Sequence, residues 1–280
     1  MLDGLADKRV NIKDLATSEF EGKKVLDFDP RRDITERDWY NIQVELGVLA
    51  QEIDTDGHTQ EQDNFSIFAI NARLLAGLSG KELPITYPKD LYAFYFDHIA
   101  DVRKDPEEGI LSEDFYFLKN LFPERFANIP IEPGDFAQIT KAITGNTSNI
   151  VYTAVEALST FPLLAPELNI TTKDYDQING LASAWRRENR YWNLAAGAAN
   201  TRLLFPDNSL IIEESDWPHF KSKLRSFRQP GASRNFASLA RDLTILSAHD
   251  ARIADQGILI ILDHPKLEKA NMPIPIRRGF

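Results

Sequence analysis

The chain has 280 residues, with 42 acidic and 32 basic side chains and a formal net charge of −10 at pH 7. It contains no cysteine, which excludes disulfides, thiolate nucleophiles, zinc–thiolate sites and iron–sulfur clusters. With 43% hydrophobic and 26% charged residues it has the balance of a globular chain, and its length lets it bury a core without staples.

The charge is unevenly spread. Residues 1–150 carry 28 acidic and 16 basic side chains, whereas residues 151–280 carry 14 and 16. The acidic excess argues against broad binding to nucleic acid or anionic membranes. The N-terminus, Met1 to Arg9, has charges where a signal peptide needs an apolar stretch. The longest apolar run near the C-terminus, Ile258–Leu262, is five residues, against roughly 20 for a membrane-spanning helix. A soluble, cytoplasmic protein is expected, with no membrane contact.

In chain order, residues 1–33 read as an N-terminal extension. From residue 34 onward a landmark recurs: an isoleucine followed four residues later by aspartate and an aromatic. It occurs as Ile34 with Asp38-Trp39, Ile131 with Asp135-Phe136, Ile170 with Asp174-Tyr175 and Ile212 with Asp216-Trp217. Ile85 with Asp90 is a looser instance. Thr35 and Thr171, three residues before Asp38 and Asp174, give the spacing of a capping box, in which side chains take up the orphan N–H groups of a helix start. Pro133 suits a first helical turn. Each landmark therefore predicts a helix A: Trp39–Leu49, Asp90–Val102, Phe136–Ile143, Tyr175–Trp185 and Trp217–Phe227.

A second helix, B, follows each time: Phe65–Leu78, Leu111–Leu121, Ile150–Thr160, Trp192–Leu204 and Phe236–Ser247. Three of these share residues at fixed offsets. Asn64, Ala69, Asn71, Arg73, Leu74 and Leu75 coincide with Asn193, Ala198, Asn200, Arg202, Leu203 and Leu204 at an offset of 129, and Asn193 and Ala198 recur as Asn235 and Ala240 at 42. Pairs of alanines three or four apart (Ala69/Ala72, Ala154/Ala157, Ala195/Ala199, Ala237/Ala240) put small side chains on one face, where a neighbouring helix can approach closely. A period near 42 made of helical pieces is a solenoid signature. The first unit has about seven more residues between its helices than the others, which places an exposed loop at 52–63.

The two-helix units resemble the repeats of HEAT and armadillo proteins. The resemblance implies an all-α fold: an α-solenoid of about five repeats over residues 34–262, with short extended connectors. Arg252–Leu262 is expected to form a C-terminal cap, and residues 263–280 a tail. In such a stack sequence order becomes position along an axis, so the charge imbalance would become an end-to-end dipole. The resemblance also implies a face for a partner, and no functional residue transfers with it.

Chemistry is sparse. No phosphate loop, dinucleotide glycine fingerprint or nucleophile elbow is present, and no cofactor is expected. The five histidines form no i, i+4 pair; Asp97-His98 and His249-Asp250 are adjacent in sequence, which does not make side chains face each other on a helix. They read as surface or helix-end residues. Asp54, Asp56 and Glu61 offer oxygen ligands for a metal, without the spacing of an EF-hand loop. Trp185, Arg186, Arg187, Arg190 and Trp192 interleave arginine with tryptophan at one A–B turn, and Lys221, Lys223, Arg225 and Arg228 recur near the next. Such a surface suits a protein or peptide partner. The expectation is a non-enzymatic interaction scaffold, with nucleic acid as the less favoured ligand. The alternatives are a helical enzyme built on the acidic loop and a phosphate or nucleic-acid binder built on the arginine turn.

Overall fold

The computed structural model describes residues 28–56, 59–107, 109–145, 154, 157, 160–161, 172–204 and 212–247. Every regular element among them is helical. In order these are α1 (Pro30–Asp33), α2 (Glu36–Asp56), α3 (Thr59–Leu78), α4 (Leu91–Lys104), α5 (Leu111–Leu121), α6 (Pro123–Phe126), α7 (Pro133–Gly145), α8 (Thr172–Arg187) and α9 (Tyr191–Leu204). A 3-10 turn at Glu214–Asp216 then leads into α10 (Trp217–Ser226), and α11 (Ser233–Ser247) follows. The expected helices α2 to α5 and α7 to α11 are all present. The expected N-terminal extension before residue 28, the connector at 205–211, the cap and the tail lie outside the described residues. Of the helix expected at Ile150–Thr160, only residues 154, 157 and 160 are described, and each is helical.

The helix starts form for the reason the sequence suggests. At α2 the Thr35 N–H donates to Asp38 Oδ2 at 2.8 Å while the Asp38 N–H donates to Thr35 Oγ1 at 3.3 Å, a reciprocal capping box. Glu213 and Asp216 make the same arrangement ahead of α10. Pro133 opens α7. The connector isoleucines Ile34 and Ile129 are buried.

Of the expected loop at 52–63, residues 57 and 58 lie outside the described residues and the rest are helical. Its extra residues extend α2 to Asp56 and start α3 at Thr59. Nothing between Gln51 and Asp56 breaks a helix, so α2 runs on to Asp56.

The chain divides into two compact units. One draws its described residues from Met1–Val48, Asn71–Ile85 and Thr171–Ile258, the other from Leu49–Ile70, Thr86–Ile170 and Leu259–Phe280. In the first unit α9 lies against α11, and α8 and α10 pack on α9. Small residues make this close approach possible: Ala195, Ala198, Ala199, Ala237 and Ala240 are fully buried. Gly197 is buried on another side of α9, against α8. A Cβ built there would come within 2.6 Å of Cζ3 and 2.9 Å of Cη2 of the Trp185 ring. Gly197→Ala should therefore cost about 1–3 kcal/mol through overpacking, seen as a lower denaturation midpoint with an unchanged denaturant slope.

In the second unit α4 packs on α5, which also contacts α6 and α7. Here α5 has no alanine, and rings fill the space instead. Phe115 meets Phe161 edge-on with centroids 5.3 Å apart, and Tyr95 meets Phe117 at 5.0 Å. Such pairs add about 0.5–1.5 kcal/mol beyond the area they bury.

A recurring ion pair joins successive A helices. In the second unit Arg103, in the last turn of α4, donates from Nε (2.8 Å) and Nη2 (2.7 Å) to the carboxylate of Asp135 at the start of α7. In the first unit Arg186, in the last turn of α8, makes the same contact with Asp216 ahead of α10, at 3.0 and 2.8 Å. Arg228, just past α10, reaches Asp38 at the start of α2 at 3.2 Å. The last helix pair thus meets the first by the contact that links neighbours elsewhere. Asn71 adds a second tie there, donating from Nδ2 to Ser238 Oγ at 2.8 Å and accepting from Arg241 at 3.0 Å.

Candidate functional site

The first unit holds a half-open cleft of about 310 Å³. It forms where the N-terminal turn of α9 and the turn after α10 meet one face of α11. Trp192, Ala196, Phe227 and Leu239 supply apolar walls, and Asn235, Ser238 and Asp242 supply the polar groups. Trp192 is 44% exposed, unusual for so large an apolar ring. Lys223 of α10 sets its Nζ 5.0 Å from the Trp192 ring centroid, a cation–π contact that fixes the ammonium at the edge of the cleft.

The polar side of the cleft is pre-organised. Ser238 is held by Asn71, Asn71 by Arg241, and the Asp242 carboxylate accepts from Arg241 Nε at 3.0 Å. Burial pushes the Asp242 carboxyl above the usual carboxylate range, and the Arg241 charge partly offsets this.

The residues expected to bind a partner divide by role. Trp192 lines the cleft. Trp185 does not: its ring is half-buried against Gly197. Arg186 and Arg228 are engaged in the ion pairs described above. Arg187 is exposed. Arg190 is exposed and pairs with Glu188 at 3.0 Å, across a turn where Asn189 takes a left-handed φ of 58°.

Of the expected metal ligands, Asp54 sits in the last turn of α2 and accepts the Lys89 backbone N–H at 2.9 Å. Glu61 lies half-buried in the first turn of α3. The Asp56 side chain lies outside the described residues. No group of three or more His, Asp or Glu side chains that could hold a metal occurs among the described residues.

The second unit carries a different cluster, contributed by α3, α4 and α5. His98 places Nδ1 3.0 Å from both carboxylate oxygens of Asp114. Its ring stacks on Phe94 and lies so close to Gly109 that a Cβ there would come within 2.6 Å of Cε1. The Tyr95 hydroxyl donates to Asp63 at 3.0 Å and lies 2.8 Å from Ser66 Oγ. Glu113 completes the group. Burial raises its carboxyl to about 7, and the nearby Asp63 and Asp114 charges add to the rise while His98 opposes it. Burial also raises Asp63 and Asp114, against the hydrogen bonds from Tyr95 and His98. His98 was expected at a surface or helix end. It sits mid-helix in α4, and its partner is on the next helix rather than at the adjacent Asp97.

No family model, curated protein or solved structure matches the chain.

Among the described residues no helix is long and apolar enough to cross a membrane. Two features had a faint trace in the sequence. Arg103 precedes Asp135 by 32 residues and Arg186 precedes Asp216 by 30, two nearly equal spacings. Phe227 and Leu239 carried no signal as cleft residues, because only packing separates a wall from a core position.

Proposed function

We propose that the chain is a helical-repeat interaction module of HEAT or armadillo character, and that it binds a protein partner at the Trp192 cleft. The repeat reading is supported by the recurring Arg–Asp contact between A helices and by the buried alanine faces of the B helices. It departs from an open stack in having the first and last helix pairs as neighbours. The binding reading rests on one observation: an exposed tryptophan edges an apolar cleft whose polar groups are already fixed by hydrogen bonds. Concave apolar sites with a few oriented polar groups are where ligands bind, and tryptophan leads the residues that carry interface energy.

The test is affinity capture on the immobilised full chain, run in parallel with Trp192→Ala. A stoichiometric partner retained by the native chain and lost from the variant is expected. Titration of that purified partner should then show at least about a tenfold weaker Kd for the variant. Equal capture by both chains would overturn the assignment.

A further inference from the structure

Resting on that reading, we infer that the cleft takes an acidic peptide segment anchored by a single apolar side chain. The argument begins with α10, the helix that borders the cleft through Lys223. It contains Lys221, Lys223 and Arg225, together with His219, and no carboxylate. In a chain of net charge −10 this is a local reversal of sign. Lys221 lies near enough to Asp33 to lower its carboxyl. Lys223 and Arg225 make no ion pair among the described residues, so their charges remain for a ligand.

Lys223 is the informative one. Its ammonium is pinned over the Trp192 ring, at the boundary between apolar wall and solvent. A carboxylate placed there meets an oriented cation, and the residue beside it can enter the cleft. The volume of about 310 Å³ lies at the small end of ligand sites, suited to one large side chain rather than to a continuous helix face. Asp242 does not oppose an acidic ligand, because Arg241 holds its carboxylate.

A peptide is favoured over a single nucleic-acid strand by the aromatic count. Strand binding uses a row of exposed rings on which successive bases stack. Here Trp185 lies against Gly197, and Tyr191 is buried and stacked on His219 with centroids 4.1 Å apart. Among the described residues of α8 and α9 that leaves Trp192 as the one exposed ring.

The experiment is selection of a random phage-displayed peptide library on the immobilised full chain, at about 50 mM salt to limit screening, with Trp192→Ala as the subtracting surface. Enriched sequences should hold one apolar or aromatic residue flanked by Asp or Glu. A synthetic peptide of that consensus should bind at least about tenfold more weakly when its acids become Asn or Gln, and again when the chain carries Lys223→Glu. Both variants alter exposed or half-exposed side chains, and their unfolding curves establish that the fold is kept. Trp192-dependent selection of neutral or basic peptides would overturn the acidic class and leave the cleft assignment standing. Absence of any Trp192-dependent peptide would overturn both. A uridylate oligonucleotide that binds in a Lys223-dependent way and displaces the selected peptide would overturn the choice of a peptide.

Discussion

Raising the pH from about 5 to 8 is expected to destabilise the second unit. The cause is the packing of Asp63, Glu113 and Asp114 around His98 between α3, α4 and α5. Burial raises all three carboxyls, Glu113 to about 7, and repulsion from neighbouring carboxylates adds to the rise at Glu113 and Asp114. A carboxyl whose folded pKa lies above its unfolded value holds its proton more tightly in the folded chain. Its contribution is full below the unfolded value, near 4.5 for Glu113, and is lost as pH rises through about 7. The loss from Glu113 alone approaches about 3 kcal/mol, and Asp63 and Asp114 act in the same direction. Thermal unfolding and amide exchange in residues 111–121, followed from pH 5 to 8, measure this. Glu113→Gln keeps the neutral form at every pH and should flatten most of the dependence. A native chain equally stable at both pH values would show that the cluster is relieved by water or movement.

The helix pairs were legible because their signals are local. A threonine three residues before an aspartate caps a helix start whatever surrounds it, as at Thr35 and Asp38. An alanine pair on one helix face marks close packing before the neighbour is known, as at Ala195 and Ala199. Helix ends were harder. Extra residues between helices suggested a loop at 52–63, but they lack a breaker before Gly57, so α2 simply continued. The site was legible only at Trp192. Arg186 carries the same composition signal as Arg190, yet one holds a buried aspartate and the other an exposed glutamate. Their difference depends on a carboxylate 30 residues away that only folding brings into range. Arg228 and Asp38 are separated by nearly the whole described chain, and no sequence spacing could join them. The same holds for His98, whose true partner lies on α5.

Those arginine–aspartate contacts should dominate the stability of the junctions they span. Asp216 is almost wholly inaccessible, and its carboxylate accepts both from the Glu213 N–H at 2.9 Å and from the Arg186 guanidinium. Asp135 does the same for the Glu132 N–H, at 2.8 Å, and Arg103. Each aspartate thus caps one helix while tying it to the previous one. Replacing it with alanine removes an acceptor shared by a part-buried guanidinium and an N–H group, although Arg103 keeps Glu132 and Arg186 keeps Glu213. Loss of a buried partner of this kind costs about 2–4 kcal/mol, equivalent to about 5–15 °C in Tm for a chain of this size. Asp216→Ala and Asp135→Ala should both show it in thermal unfolding. Lys104→Ala supplies the contrast. Its pair with Asp101 is exposed on both sides, at 74% and 61%, and should move stability by no more than about 0.5 kcal/mol. A double-mutant cycle over Arg186 and Asp216 separates the bond from the cap. If Asp216→Ala costs the same whether Arg186 is present or has been replaced by methionine, the aspartate acts only as a cap and the tie between helices carries nothing. A coupling of at least about 1 kcal/mol is expected instead, because the guanidinium loses its bidentate acceptor where water reaches it poorly.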